Sequence, residues 1–263
     1  MSTKKARSFF RHKTTLFVLG LFLVVAIWEI VAFATGFLFV PEFFSTVARA
    51  FSLLGEARTW NAIGFTLLRL CLAFIASATL GVFLGTLAGY FEPLGNLLRP
   101  LILLLRALPT VALILLLIVH VPMASLWVVG LVLFPVIYQA SLEGSSKAFA
   151  DFEKLIRLQG KRHINNITRV ILPLSMDYVL LGFVQSIGLG MKVEIMAETF
   201  AYSSNRIGLG QMIYSSYQQV DYERLMALVL ICLLLVFLLD GWMKGMKIVI
   251  ERKLNLSKEQ IDA

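Results

Sequence analysis

Residues Asp151 to Pro173, DFEKLIRLQGKRHINNITRVILP, are a long polar stretch set between very apolar ones, and their reading decides the fold. Phe152, Leu155, Ile156 and Leu158, then Ile164 and Ile167, recur at roughly helical spacing, while Lys154, Arg157, Lys161, Arg162 and Arg169 fill most of the gaps. The pattern predicts a basic amphipathic segment with a break at Gly160, a residue that tolerates the left-handed geometry of a helix end. The expected shape is an elbow: a short helix that ends, turns, and hands over to a second helix leading to Pro173. On charge alone such an elbow serves either as a loop held against anionic lipid headgroups or as a docking element for a partner.

Outward from this stretch the chain is strongly apolar. Hydrophobic residues make up 59% and charged residues 15% of the 263, with mean hydropathy +0.83; an ordinary soluble domain has roughly 45–50% and about 25%. The expectation is an all-α integral membrane protein with about six transmembrane helices, built as one domain. The net charge of +8 does not point to nucleic acid, because the basic residues lie beside apolar spans and no RNA or DNA motif accompanies them. Cys71 and Cys232 both fall inside apolar runs, where a thiol packs as a small hydrophobe, so neither a disulfide framework nor a metal cluster is implied.

The first apolar run, Thr14 to Val40, follows Lys4, Lys5, Arg7, Arg11 and Lys13. It is too long for a signal peptide's core of about 7–15 residues and suits an uncleaved spanning helix of about 20 with tilt. Glu29 lies inside it next to Trp28, and two readings stand: an acid facing protein or water, or one reaching the outer headgroups beside an interfacial Trp. Pro41 to Asn61 is weakly amphipathic and is expected along the outer membrane surface. Ile63 to Tyr90 reads as the second span, in which Gly81, Gly85 and Gly89 form a ladder of small residues for close helix packing. Phe91 to Asn96 reads as a turn and Leu101 to Val119 as a third span kinked at Pro109. His120-Val121-Pro122 leaves room only for a tight external hairpin before the fourth span, Ala124 to Leu142, which Pro135 interrupts. After the elbow come a fifth span, Leu174 to Ala201, and a sixth, Leu225 to Ile250, which contains Asp240. The residues between them, Tyr202 to Arg224, are polar and carry glycines and tyrosines.

Orientation follows from the lysines and arginines. With the N-terminus inside, the inner set is the N-terminal cluster, Arg99, the elbow cluster from Lys147 to Arg169, and Lys244, Lys247, Arg252, Lys253 and Lys258. The outer segments keep Arg49, Arg58, Arg206 and Arg224. This asymmetry predicts a multi-pass protein of the cell membrane with both termini and the elbow in the cytoplasm.

No G-x-x-x-x-G-K-[ST] occurs, so an ATP-driven role requires a partner that binds the nucleotide, and the chain itself is expected to hold no cofactor. His12, His120 and His163 form no readable triad and there is no H-E-x-x-H. An intramembrane enzyme using His120 with Glu194 and Glu198 is the residual catalytic reading, against a His at a helix end that only packs or is solvated.

The elbow resembles the E-A-A loop of permease subunits in binding-protein-dependent ABC importers. In that loop an E-A-A triplet, a Gly four residues past its last Ala, and an I-x-L-P end follow one another. Lys154-Leu155-Ile156, Gly160 and Val170-Ile171-Leu172-Pro173 occupy those places, with Lys154 replacing the acid and Glu153 and Asp151 beside it. The resemblance covers almost the whole chain and is nearest the nitrate, sulfonate and taurine type. It rests further on Trp28-Glu29, Thr66-Leu67-Leu68-Arg69, Leu108-Pro109, Phe134-Pro135 and Ser203-Ser204-Asn205-Arg206-Ile207-Gly208-Leu209-Gly210, in that order. The chain departs from the family at Val119-His120-Val121, where a Gly is frequent.

The resemblance implies a cytoplasmic N-terminus (1–13), a transmembrane permease domain (14–250) with its coupling elbow at 143–173, and a cytoplasmic tail (251–263). It implies an ABC ATPase subunit seated on the elbow through Glu153, Lys154, Arg157, Gly160, Leu172 and Pro173, an extracytoplasmic solute-binding protein, a second permease chain forming a homodimer in the lipid membrane, and a small solute as cargo, either an anion such as a sulfonate, nitrate or taurine or a neutral vitamin precursor. Another transporter, a channel subunit or a membrane enzyme are the competing classes. In the fifth span Lys192, Glu194 and Glu198 are expensive in lipid and are candidates for the translocation pathway or its gate, against the alternative that all three are solvated near the outer headgroups. Glu194 and Glu198 share a helix face, and Lys192 lies about 160° around from the line midway between them.

Overall fold

The computed structural model describes residues 3–37, 39–158, 167–200 and 207–259, and the side chains of all of these except 3–14, 153–158, 169 and 251–259. The described residues are almost all helical. In order they form α1 (Thr3–Ala34), α2 (Phe43–Leu54), α3 (Ala57–Tyr90), α4 (Glu92–Ala107), α5 (Thr110–His120), α6 (Ala124–Leu158), a π-helical turn (Ile167–Ile171) running into α7 (Leu172–Phe200), α8 (Leu209–Gln218) and α9 (Tyr222–Glu259). Stretches of α1, α3, α6, α7 and α9 are each long and apolar enough to cross a membrane, and the bent pair α4–α5 makes up to six spans. Helices suit this solvent because they satisfy their backbone hydrogen bonds internally.

The chain divides into two compact units, residues 1–59 with 213–231 and residues 60–212 with 232–263. In the first, α1 ends in a left-handed cap: Gly36 has φ 63°, its N–H meets Phe33 O at 3.1 Å, and Phe37 N–H reaches Ala32 O at 2.9 Å. The chain then turns back so that Trp28 Nε1 donates to Pro41 O at 3.0 Å and Glu29 Oε1 accepts from the N–H of Phe43, the first residue of α2, at 2.9 Å. Glu29 thus faces protein: it supplies the acceptor that the start of α2 lacks locally, and the Trp28 ring sits edge-on to Phe43 at 5.9 Å. Further along, Asp221 caps α9 by accepting from Arg224 N–H at 3.0 Å, and the Tyr222 ring lies 5.6 Å from Phe39.

In the second unit the glycine ladder of α3 faces α6. A methyl group on Gly85 would stand 2.5 Å from Tyr138 O and 2.8 Å from Ser141 Cβ, and one on Gly89 would stand 2.7 Å from Leu142 O. Gly81 meets Ile137 in the same way. The seam is also hydrogen-bonded, Ser145 Oγ donating to Thr86 O and Ser77 Oγ to Gly130 O, each at 2.8 Å. The approach is close because these side chains are small, the condition under which apolar helices gain packing contacts in lipid. The other side of α6 meets α7, where Gly144 lies against Ser175 and Tyr178, and Gly182 against Ala140.

Three expectations require correction. The third span is not one kinked helix: α4 and α5 meet at 93°. The cause is local, since Leu108 is extended (ψ 128°) as residues before proline are, and Pro109 (ψ 123°) brings no N–H to continue the ladder. Phe91 to Asn96 is not a turn either; only Phe91 leaves the helical region, and α4 begins at Glu92 with Pro93 in its first turn, a position where the missing N–H costs nothing. Finally, α6 passes Pro135 without interruption and continues to Leu158, so the first arm of the expected elbow is the end of the fourth span's own helix.

Candidate functional site

The buried polar cluster of the second unit is built on Glu198, one turn from the end of α7. It is 1% exposed, and its carboxylate accepts from Arg69 Nη1 at 2.7 Å, from the Thr66 hydroxyl at 2.9–3.0 Å and from Gly210 N–H at 3.0 Å. Thr66 and Arg69 lie three residues apart on α3, which sets both on one face. The Thr66 oxygen in turn accepts from Leu209 N–H at 3.0 Å. Leu209 and Gly210 open α8, so Glu198 and Thr66 take up two of the N–H groups that a helix start leaves without partners. A carboxylate there is favoured by the helix dipole, and Arg69 balances its charge.

Gly208 and Gly210 make the contact possible. A Cβ on Gly208 would fall on the Glu198 carboxylate itself, and one on Gly210 would strike Ile195 O and stand 2.7 Å from Glu198 Cβ. One turn earlier, Glu194 is fully buried; among the described residues neither of its oxygens makes a well-formed hydrogen bond, and its polar neighbours include Ser125 and Glu198. Two carboxylates and one guanidinium therefore share this interior. Lys192 is exposed on the other side of α7, as the helical spacing requires. His120 stands apart from the acids: it is exposed at the end of α5, its Nδ1 2.9 Å from Leu116 O of its own helix.

Glu194 and Glu198 are therefore packed inside protein, whereas Lys192 is exposed. The residue that reasoning from sequence left without a role is Arg69; a guanidinium within an apolar run requires a counter-charge, and that signal was available. Gly208 and Gly210 carried no signal beyond their place in a motif. Of the elbow residues, Glu153, Lys154 and Arg157 have their backbone on the last turns of α6, and their side chains, like Gly160 altogether, lie outside the described residues. Leu172 and Pro173 open α7 directly after the π turn, whose Ile167 and Ile171 pack with Tyr90 and Ala148. Ser203 to Arg206 also lie outside the described residues.

A family model described as "Binding-protein-dependent transport system inner membrane component" matches residues 77–247. Among similar curated proteins, one of Bacillus subtilis (strain 168) named as an aliphatic sulfonates transport permease protein, SsuC, is 24% identical over 243 residues, 88% of this chain and 83% of its own length. The bicarbonate transport system permease protein CmpB of Synechococcus elongatus is 26% identical over 170 residues (63% and 60%), and the taurine transport system permease protein TauC of Escherichia coli 22% over 202 residues (73% and 70%). A solved structure of the MetNI methionine ABC transporter in an inward-facing conformation contains a similar fold, with TM-score 0.56 at 15% identity over 74% of this chain and 94% of that one.

Proposed function

Because this chain belongs to the family of binding-protein-dependent transport system inner membrane components, we propose that it is the subunit that carries a small organic or inorganic anion across the cell membrane, powered by a separate ATPase. The observation that carries the reading is the family match over residues 77–247, which runs from the glycine ladder of α3 through the α4–α5 break and α7 into α9. The anion class is suggested by relatives named for aliphatic sulfonates, bicarbonate and taurine. Nucleotide binds to the partner, since the sequence has no phosphate-binding loop.

In this reading the chain pairs with a second copy and receives cargo from an extracytoplasmic solute-binding protein. The elbow, with Glu153, Lys154, Arg157, Gly160, Leu172 and Pro173, sits in the ATPase on the cytoplasmic side, where both termini also lie. The backbone supports such a lever: α6 runs unbroken to Leu158, so a push near residue 158 is delivered along the helix to its packing with α3 and α7. Rigid elements that rock as units are how such transitions travel. Glu198, tied to α3 and to the start of α8, is the gate residue, and Glu194 lies beneath it; Lys192 faces lipid or the second chain.

The test is co-expression with the ATPase and binding protein. Gly160→Val is expected to insert normally and to lose the ATPase on purification, because the helix end that the sequence predicts at Gly160 would cost a β-branched residue on the order of 1–2 kcal/mol. Wild-type recovery of the ATPase together with normal uptake would remove the elbow's role. Solute flux through the purified chain without ATP would identify a channel instead.

A further inference from the structure

Away from the Glu198 cluster, α3, α4 and α6 line an open-sided cavity of about 610 Å³, within the size range of small-molecule sites. One wall is a stripe of α4 in which Glu92, Asn96, Arg99 and Arg106 follow one another at intervals of three, four or seven residues. Arg99 and Arg106 are seven residues apart, so they project from one face about 10 Å apart along the axis. Among the described residues neither guanidinium has an ion pair or hydrogen bond. Opposite, α6 contributes Gln139 and Tyr138; Tyr138 is 2% exposed, and its buried hydroxyl has no hydrogen-bond partner among the described residues.

Both guanidiniums are exposed and line the cavity, so they are open to an incoming anion. Arginine presents a planar fork of N–H donors that matches a carboxylate or sulfonate with two parallel hydrogen bonds. A buried hydroxyl without a partner forfeits a hydrogen bond that an incoming acceptor would restore. Asn96 and Gln139 add neutral donors, and Glu92 sits at the opposite end of the α4 stripe from Arg106, leaving the wall with net positive charge.

We propose that this cavity is a binding site for a small oxyanion, with Arg99 and Arg106 gripping a sulfonate or carboxylate head and Tyr138 donating a third hydrogen bond. The inference rests on the transport reading and deepens it: by the lysine and arginine distribution Arg99 lies on the cytoplasmic side, so the site would hold cargo at the inner end of its path. The same oxyanion chemistry is offered by the phosphate of an anionic lipid headgroup, and the test separates the two sources.

The experiment uses the full chain in nanodiscs of phosphatidylcholine, with ethanesulfonate as probe and ethylene glycol as neutral control, read by saturation-transfer NMR. Ethanesulfonate is expected to bind at millimolar strength and ethylene glycol not at all. Arg99→Gln and Arg106→Gln should each weaken binding about tenfold or more, Tyr138→Phe severalfold, and Arg99→Lys by an intermediate amount, since it keeps the charge and loses the fork. Arg58→Gln, an exposed cation elsewhere, should change nothing. Size-exclusion profiles and thermal midpoints check that each variant folds. In a second arm the nanodiscs contain phosphatidylglycerol; if a lipid headgroup is the occupant, it will be retained through purification by the wild type and lost from the Arg99→Gln, Arg106→Gln double variant. Arginine-dependent binding of either anion supports the site. Binding of both probes that is indifferent to these residues, or no arginine-dependent anion in either arm, overturns it. Because the assay needs neither ATPase nor binding protein, that failure would leave ATP-driven uptake standing as a separate question.

Discussion

Glu198 is where one atom's charge matters most. Its carboxylate serves Arg69, Thr66 and the first turn of α8 at once, so Glu198→Gln keeps the shape and removes the charge that balances Arg69. Stranding one member of a buried ion pair costs about 3–5 kcal/mol. We expect a lower thermal midpoint, assembly that survives because the α3–α6 and α6–α7 seams are untouched, and reduced uptake or ATP hydrolysis that no longer waits for the binding protein. Uptake and basal hydrolysis equal to wild type in reconstituted vesicles would reduce Glu198 to a packing role. Replacing the pair together, Arg69→Met with Glu198→Leu, should recover most of the stability and none of the function, because apolar groups of similar volume often replace a buried pair at little cost.

Among elements, the α3–α6 seam tolerates least. Gly85 lies against the backbone oxygen of Tyr138, and a carbonyl in the middle of a long helix cannot swing aside as a flexible side chain can. Gly85→Val should therefore part the two helices at a cost of about 1–3 kcal/mol or more and lower the yield of monodisperse protein. Gly188→Val, on α7 with nothing within 4 Å of its Cβ, is the matched control and should cost little by comparison. Equal yields and midpoints for the two would show that the ladder does not set helix spacing. The broken pair α4–α5 is the other decision at this scale: the proline restriction at Leu108–Pro109 turns one apolar run into two helices at 93°, and the polar stripe of α4 lines a cavity on the near side of that break.

For the whole molecule, the lysine and arginine distribution predicts which side of the membrane each end faces. With Cys71 and Cys232 replaced by Ser, single cysteines at Ser146 and Ser203 should label from opposite sides, as the lysine and arginine distribution predicts. Modification of both by an impermeant thiol reagent in intact cells would overturn that topology.

Membrane class, the all-helical architecture, the small-residue ladder and the family were all legible in the residues, because each depends on composition, periodicity or ordered short motifs that need no knowledge of neighbours in space. Local proline chemistry announced a disturbance at Pro109 but not its 93° size, and it wrongly interrupted the fourth span at Pro135, because how far a helix bends is set by what packs on either side. The acids of α7 show the limit most clearly. Helical spacing separated Lys192 from Glu194 and Glu198, yet left open whether those acids meet water or protein. Only the tertiary structure decided it, by bringing α3's Thr66 and Arg69, 132 and 129 residues away in sequence, into hydrogen-bond range of Glu198. A charge is stable inside an apolar protein when its partners arrive with it, and partners so distant along the chain are determined by packing.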